Sequence, residues 1–428
     1  MPIHLALERD SAKPVLFESS RLAHHSAVLA QSGSGKSFML GRLVEEILIN
    51  TKARVVIFDP NSDFIRLRSA DPKSFSDAKL KPWLFPSETL SAFNTVWSSI
   101  RIVTASNRNL EKSSKLAIDW GNLDDYEMAA AMNIDLRTDS DLFWCLFLAS
   151  QFSRDSWDKE EIWDFEHFRD NAEKLVEYLL TGRGPKLVKT SPLAQTLRKA
   201  IGQQTALRFR AIVESLAEYQ TWRSVGDGET DISGLVPGSD NDVRALVVDL
   251  QSLSTDEEKT AVATRVITTI WNRAKRELWE AVRDHEKADN RVPTFIVIDE
   301  AHNLVPAERG NPSVTRLGNQ VVKVAAEGRK YGLQLIVVTQ RPRKIDSNVL
   351  SECENVVLMK MSNASDVEFA NDVFGFLPSD VGAKVKTFKV GDMLVAGALN
   401  NSSEVLHACP RRTVQGGKSL VDAYWSIP

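Results

Sequence analysis

The sequence predicts an α/β protein whose core is a mostly parallel β-sheet covered by helices. Short apolar runs rich in β-branched residues alternate along the chain with helical patterns, which is typical of a parallel sheet. Most of these runs are continuously apolar, as expected of strands buried on both faces. The predicted strands are Ala27–Ala30, Arg54–Phe58, Arg244–Asp249, Thr294–Ile298, Leu333–Thr339 and Asn355–Met361, followed by an edge hairpin of Met393–Gly397 and Glu404–Ala408 with its turn at Asn400 and Asn401.

The amino-acid composition excludes several classes of protein. The chain has 428 residues, of which 43% are hydrophobic and 26% charged, so it is neither collagen-like nor disordered and has ample sequence for a buried core. The net charge of −4 means that a polyanion such as DNA must be met by a local basic patch. Three cysteines without metal-ligand spacing indicate a reducing compartment.

Signals for export or membrane insertion are not found in the sequence. The first ten residues have no basic region and contain Glu8 and Asp10. The longest apolar stretch, Leu142–Ala149, has eight residues, whereas a membrane-spanning helix needs about 20. We therefore expect a cytoplasmic protein with no membrane partner.

A long segment with helical periodicity and a different charge composition interrupts the predicted core. We expect residues 1–65 and 240–428 to form the core, and residues 66–239 to form a mostly helical insertion. Helical periodicity is clear in Phe165–Leu180 and Leu193–Trp222. Residues 119–173 carry 15 acidic and 4 basic side chains, a local balance of −11.

The second part of the insertion is basic. Residues 182–213 contain no acidic side chain and seven cations: Arg183, Lys186, Lys189, Arg198, Lys199, Arg208 and Arg210. One hypothesis is that these residues hold DNA phosphates, as Lys323, Lys330 and Lys344 of the core also could. The alternative is that they pair with the acidic segment immediately before them.

A phosphate-binding loop follows the first predicted strand. Residues 30–37 read A-Q-S-G-S-G-K-S and precede a helical run, Phe38–Ile49, which completes the strand, glycine-rich turn and helix that such a loop requires. Gly33 and Gly35 allow backbone N–H groups to wrap a phosphate at the helix N-terminus. Lys36 is predicted to reach the β- and γ-phosphates of ATP, and Ser37 to ligate Mg²⁺. The predicted nucleotide-binding residues are Gln31, Ser32, Gly33, Ser34, Gly35, Lys36, Ser37, Phe38 and Asp59.

Two carboxylates end the strand T-F-I-V-I, at the edge where the phosphate loop is expected to lie. Asp299 is predicted to serve Mg²⁺, and Glu300 to act as the general base for the attacking water. The alternative is an acidic cap of the next helix. Together with the phosphate loop, these residues predict hydrolysis of a nucleoside triphosphate.

Other strands end in polar residues at the same edge. Gln340 is predicted to sense the γ-phosphate or to orient the water, unless it only closes its strand. Asp59 is either a second acidic group near the metal or a turn cap. Asp249 is interpreted as structural.

An arginine is needed to stabilise charge on the γ-phosphate, and a neighbouring subunit often supplies it. The candidates are Arg329, Arg341 and Arg343, which flank the strand Leu333–Thr339.

The motifs resemble the HerA family, in the HerA/FtsK branch of P-loop motor ATPases. The resemblance is carried by H-S-A-V-L-A-Q-S-G-S-G-K-S (25–37), V-I-D-E-A-H-N-L-V-P (297–306), E-G-R-K-Y-G-L-Q-L-I-V-V-T-Q-R-P (327–342), V-L-S-E-C-E-N (349–355) and R-R-T-V-Q-G-G (411–417). It implies a RecA-like core, a hexameric ring with ATP and Mg²⁺ between subunits, and translocation on double-stranded DNA. It also implies that Arg329 acts in trans, and that a separate nuclease or NAD-consuming effector of an antiviral system is a partner.

Two other functions compete with a ring motor. Residues 299–302 spell D-E-A-H, but a two-lobed helicase needs a second core after the first, and the predicted strands end near Ala408. The other is a nucleotide-dependent scaffold or regulator of a defence effector, which would assemble on ATP without moving along DNA.

Overall fold

The computed structural model describes residues 2–76, 94, 96–105, 113–156, 164–219, 221–222, 231–238, 242–283, 289, 291–400 and 404–416. Within these ranges, twelve strands form one continuous sheet in the order β2-β1-β12-β11-β10-β3-β9-β8-β4-β7-β5-β6. The strands are β1 Pro2–Glu8, β2 Pro14–Glu18, β3 Ser26–Leu29, β4 Arg54–Asp59, β5 Ile100–Thr104, β6 Ser114–Lys115, β7 Ala245–Asp249, β8 Thr294–Ile298, β9 Leu333–Thr339, β10 Asn355–Leu358, β11 Asp392–Gly397 and β12 Leu406–Ala408.

The predicted mostly parallel α/β sheet is confirmed. The strands from β10 through β6 pair in parallel, whereas β11, β12, β1 and β2 extend one side of the sheet in antiparallel pairs. The predicted pairing of the last two strands is present, but they do not form the edge of the sheet, because β1 pairs with β12 and β2 pairs with β1. Asn401 of the predicted turn lies outside the described residues. Because the parallel strands share one direction, their carboxyl ends meet at one edge, where the phosphate loop, Asp299, Glu300 and Gln340 are found, whereas Arg329 precedes β9 at the opposite edge.

Helices connect these strands and cover the sheet. Their bounds are α1 Lys36–Asn50, α2 Pro72–Ser76, α3 Asp125–Ala131, α4 Ser140–Asp155, α5 Phe165–Thr181, α6 Lys186–Thr190, α7 Pro192–Ala200, α8 Gln203–Leu216, α9 Ile232–Leu235, α10 Asp256–Arg283, α11 Pro312–Glu327, α12 Ser347–Ser351, α13 Ala364–Val373 and α14 Val381–Lys386. Among those in the described ranges, none combines the length and the apolar composition that a bilayer crossing requires.

The sheet separates two apolar layers, because successive side chains of a strand point to opposite faces. In β4, Val56 and Phe58 belong to one layer and Val55 and Ile57 to the other. Helix α1 packs in the second layer, and α10, α11 and the helices of the insertion pack in the first. This double burial explains why the parallel strands are continuously apolar in sequence.

The predicted insertion, residues 66–239, contains more than helices. Helices α4, α5, α7 and α8 pack against one another as a bundle, and α3 joins this bundle to α10 and α11 of the core. The same range also contributes β5 and β6 to the core sheet, where β5 pairs with β7. The polar residue Arg101 interrupts the apolar run of β5, which weakens the strand signal in the sequence.

A cluster of aromatic rings joins the helical bundle to the edge of the sheet. The fully buried Trp120 lies 5.1 Å from the rings of Phe165 and Phe168, and 5.2 Å from that of Trp222. Edge-to-face rings at this separation stabilise a core beyond the area that they bury. The bundle is therefore anchored at a defined position relative to the sheet.

His25 makes the stability of this core sensitive to acid. Its Nδ1 accepts a hydrogen bond of 2.9 Å from the Leu335 N–H, and burial lowers the pKa of His25 from 6.5 to about 4. The unfolded chain therefore binds this proton at higher pH than the folded chain does. We expect the unfolding free energy to lose about 3 kcal/mol through His25 as the pH falls from 6.5 to about 4.

Urea unfolding over this pH range measures the effect. His25→Asn keeps a hydrogen-bond acceptor but does not titrate, so its unfolding free energy should depend less on pH than that of the wild type. His167→Asn, which changes a partly buried histidine of α5, is the matched control. Equal pH dependence in wild type and His25→Asn would contradict the prediction.

Candidate functional site

The turn between β3 and α1 has the backbone of a phosphate-binding loop. Gly33 and Gly35 adopt φ of +73° and +93°, in the left-handed region that favours glycine. A Cβ on Gly35 would also lie 3.3 Å from the backbone nitrogen of Gly391. The Gly391 N–H donates a 2.9 Å hydrogen bond to the Ser34 carbonyl, so the turn before β11 holds the loop from one side. Ala30 occupies the position of the usual first glycine and is buried.

Lys36 lies at the start of α1 with its ammonium between the two carboxylates that follow β8. Its Nζ is 2.8 Å from Asp299 Oδ1 and also contacts Glu300 Oε1. All three side chains are buried. Burial alone would lower the pKa of Lys36, but the two carboxylates outweigh it and raise the pKa above its ordinary value. The lysine is therefore charged and aimed at the edge where phosphate charge would lie.

Glu300 has a strained backbone that directs its carboxylate toward the loop. Its φ of +45° is unusual for a residue other than glycine, and such strain is characteristic of functional positions. Oε1 accepts a hydrogen bond from Gln340 Nε2, and Oε2 lies 3.5 Å from His302 Nδ1. Burial favours the neutral acid, but Lys36 outweighs it and lowers the pKa of Glu300. The carboxylate is thus ionised and able to accept a proton.

Two carboxylate oxygens at this edge have no hydrogen-bond partner within the described part of the chain. They are Asp299 Oδ2 and Glu300 Oε2, and both are buried. Buried polar atoms are nearly always satisfied, so a free buried carboxylate oxygen indicates a position for a cation or a water. Burial also raises the pKa of Asp299, which Lys36 only partly offsets. These atoms fit the predicted Mg²⁺ and attacking water.

Asp63 is a site residue that the sequence analysis missed. Ser37 Oγ, the predicted metal ligand, donates a 2.6 Å hydrogen bond to Asp63 Oδ2. Asp63 lies in the turn after β4, four residues beyond Asp59, and lines the same cavity as Lys36. The motif D-P-N-S-D therefore carries two acids, and the second one faces the loop.

Asp59 caps the turn after β4. This is the second of the two roles predicted for it, the first being an acidic group near the metal. Its carboxylate accepts hydrogen bonds from the backbone N–H groups of Asn61, Asp63 and Phe64, at 3.3, 3.0 and 2.8 Å. It is fully buried and does not line the cavity, and burial raises its pKa to about 7. Asp59 thus positions Asp63 by shaping the turn. Asp249 accepts a hydrogen bond from Ser62 Oγ in the same turn, in agreement with its structural interpretation.

A cavity of about 820 Å³ opens over the loop. The predicted residues that line it are Gln31, Ser32, Gly33, Gly35, Lys36, Ser37, Phe38, Glu300 and Gln340. Ser34 of the loop and Asp299 are buried and are not among them. The remaining lining residues were not predicted and come from the turn after β4 and the end of the chain: Asn61, Asp63, Val390, Gly391, His407, Ala408 and Gln415.

Arg329 lies away from this cavity. It precedes β9, whereas Gln340 follows it, so the length of the strand, on the order of 20 Å, separates the two. The Arg329 guanidinium is 49% exposed and pairs with Glu354, which also contacts His24 at 2.6 Å. Arg329 therefore cannot serve the cavity of its own chain, whereas the exposed Arg341 and Arg343 directly follow Gln340.

The fold and the loop together define a P-loop protein of the nucleoside-triphosphate-binding class. The model of the family "Helicase HerA, central domain" matches residues 5–270, more than half of the chain, and the chain belongs to this family. The resemblance predicted from the motifs is thereby confirmed. A second model, that of zonular occludens toxin (Zot), matches residues 241–391.

Relatives of known description agree with this assignment. The chain is 22% identical over 399 residues to a probable helicase of Methanocaldococcus jannaschii, and 22% identical over 414 residues to the DNA double-strand break repair helicase HerA of Pyrococcus furiosus. Each alignment covers 91% of this chain and 66% of the relative, so the chain spans about two thirds of their length. VirB4 of Thermoanaerobacter pseudethanolicus shares the fold, with a TM-score of 0.53, 15% identity, and coverage of 95% of this chain and 96% of that one.

Proposed function

We propose that the protein hydrolyses ATP and uses the energy to move along double-stranded DNA as a ring of six subunits, the ring size being the one that the family resemblance implies. The observation that carries the hydrolytic part is the contact of Lys36 with both Asp299 and Glu300 at the mouth of a glycine-rich loop. A lysine in contact with a metal-binding acid and a general base supplies the groups that phosphoryl transfer requires.

Binding of the triphosphate depends on the loop and on Lys36. The N–H groups of the loop and of the first turn of α1 point toward the cavity and favour negative charge. The Lys36 ammonium would exchange its carboxylate partners for phosphate oxygens. Ser37, Asp63 and Asp299 are the residues that would hold Mg²⁺, which when bound neutralises charge on the β- and γ-phosphates.

Hydrolysis requires a base and a group that orients the water. Glu300 is ionised, and its free Oε2 can accept the proton of a water placed in line with the γ-phosphate. Gln340, hydrogen-bonded to Oε1, holds the carboxylate and can sense the γ-phosphate. Arg329 is exposed at the opposite end of β9 from Gln340, a position that supports a role at the cavity of a neighbouring subunit.

The DNA and effector parts of the proposal rest on relatives and on family resemblance. The Pyrococcus furiosus relative is described as a DNA double-strand break repair helicase. For this chain, we propose double-stranded DNA as the track and a separate polypeptide, such as a nuclease or an NAD-consuming enzyme of antiviral defence, as the effector.

ATP turnover with and without linear double-stranded DNA tests the proposal. We expect DNA to raise the rate several-fold, because a motor couples its hydrolytic cycle to contact with the track. Glu300→Gln protein, purified in the same way, gives the background. Turnover that does not respond to DNA would contradict the motor and favour the nucleotide-dependent scaffold or regulator.

A further inference from the structure

Six of the seven cations of residues 182–213 fall into two groups in the folded protein. Arg208 pairs with Asp139 at 3.1 Å, and Arg210 pairs with Glu173 through two hydrogen bonds. Both acids belong to the acidic segment 119–173, so these two arginines are neutralised within the bundle. The pairing predicted as the alternative to DNA binding therefore applies to α8.

The other group lies on α6, α7 and the loop before them. Arg183, Lys186, Lys189 and Lys199 are exposed, and none has an acidic partner within the described parts of the chain. We call these four residues the basic face. The exposed Arg198 lies beside it but is engaged locally, because its Nε donates to the Tyr178 carbonyl at 3.0 Å.

Packing holds the basic face in a fixed position on the bundle. Val188 of α6, and Ala194 and Leu197 of α7, are buried in the apolar layer formed with α5 and α4. Lys186 and Lys189 are three residues apart, so they lie on neighbouring positions of one helical surface. Ser191 caps α7 through the Ala194 N–H, which fixes the turn between the two helices.

The composition of this surface favours a nucleic-acid backbone over a protein. Across α6 and α7, which the structure describes in full, Leu187 is the single exposed large apolar side chain, at 40% exposure. A protein interface buries an apolar and aromatic centre, whereas phosphate contact needs cations and tolerates a polar surface. Exposed lysines without acidic partners can displace the counterions of a duplex.

We propose that the basic face binds the phosphate backbone of double-stranded DNA, independently of base sequence and outside the ATPase core. The inference rests on the proposed function, because it adds a second contact to the same track. In this role the helical insertion is a tether, which keeps the duplex on the protein while the core hydrolyses ATP. None of these four residues lines the cavity over the phosphate loop.

Salt dependence of DNA binding tests the proposal with a matched pair of variants. Lys186→Gln/Lys189→Gln and Arg208→Gln/Arg210→Gln each remove two charges from the same acid-free run. Fluorescence anisotropy of a labelled linear duplex, titrated with full-length protein at several salt concentrations, gives the slope of log K against log salt. We expect the slope of the lysine pair variant to be less steep by about two, since each phosphate contact contributes about 0.9. The slope of the arginine pair variant should equal that of the wild type.

Three results would overturn the inference. An unchanged slope in the lysine pair variant would remove the basic face from the DNA contact while leaving the proposed motor intact. Equal changes in both variants would mean that overall charge, not this surface, determines binding. A change in oligomer mass by light scattering, with the slope unchanged, would assign the lysines to a contact between subunits. Wild-type protein that binds no duplex would instead contradict the proposed function itself.

Discussion

Glu300→Gln should lower kcat for ATP hydrolysis by about 10³-fold and leave ATP binding nearly unchanged. The substitution keeps the size of the side chain and its contact with Gln340, but glutamine cannot accept a proton from water. Removing a negative charge beside Lys36 also frees the ammonium for phosphate, so affinity should not fall. Steady-state turnover and equilibrium binding of a fluorescent ATP analogue measure the two effects separately.

Glu368→Gln is the matched control, because Glu368 is an exposed glutamate of α13 outside the cavity. It should retain wild-type turnover. If Glu300→Gln kept a tenth or more of the wild-type rate, another residue would have to be the base. Thermal unfolding of both variants shows whether any loss of activity comes from loss of the fold.

Lys36→Ala and Arg329→Ala should each be inactive alone and recover activity when mixed. Lys36→Ala lacks the phosphate-binding ammonium, and an arginine acting in trans is worth about 10³-fold or more. In a randomly mixed ring, about a quarter of interfaces combine an intact Lys36 with an intact Arg329 from the next subunit. Turnover of an equimolar mixture should therefore reach about a quarter of the wild-type rate.

A mixture of wild type with Lys36→Ala shows whether subunits exchange. Where exchange occurs but the two inactive variants do not restore activity, Arg329 is not the residue that acts in trans. Arg341→Ala and Arg343→Ala are then the next variants to mix with Lys36→Ala, because both arginines are exposed and follow Gln340.

Much of the fold and the centre of the site could be predicted from sequence because their signals are local. A strand buried on both faces must be continuously apolar, and this identified the parallel strands that meet at the loop. The glycines of residues 30–37 and the acids after β8 follow their strands directly, so the topology of a parallel sheet brings them together. Strands β1, β2, β5 and β6 were missed, because they are short or interrupted by polar residues such as His4 and Arg101.

One side of the cavity depends on contacts between distant parts of the chain. Val390, His407 and Gln415 lie far from the loop in sequence and reach it only because β11 and β12 pair beside β10. Their residue types carry no nucleotide-binding signal of their own. Sequence spacing alone could therefore not assign them to the site.

The sequence by itself determined the α/β class, the phosphate loop and the position of Asp299 and Glu300 at the end of a strand, since each of these signals is carried by neighbouring residues. Only the tertiary structure showed which of two residues of the same type faces the phosphate loop or forms an ion pair. Asp59 and Asp63 are both acids in one turn, but backbone N–H groups bind the first, which leaves the second to face Ser37. Likewise, Arg210 meets Glu173 across the bundle while Lys189 meets no acid in the described chain, because ion pairing depends on distance in space.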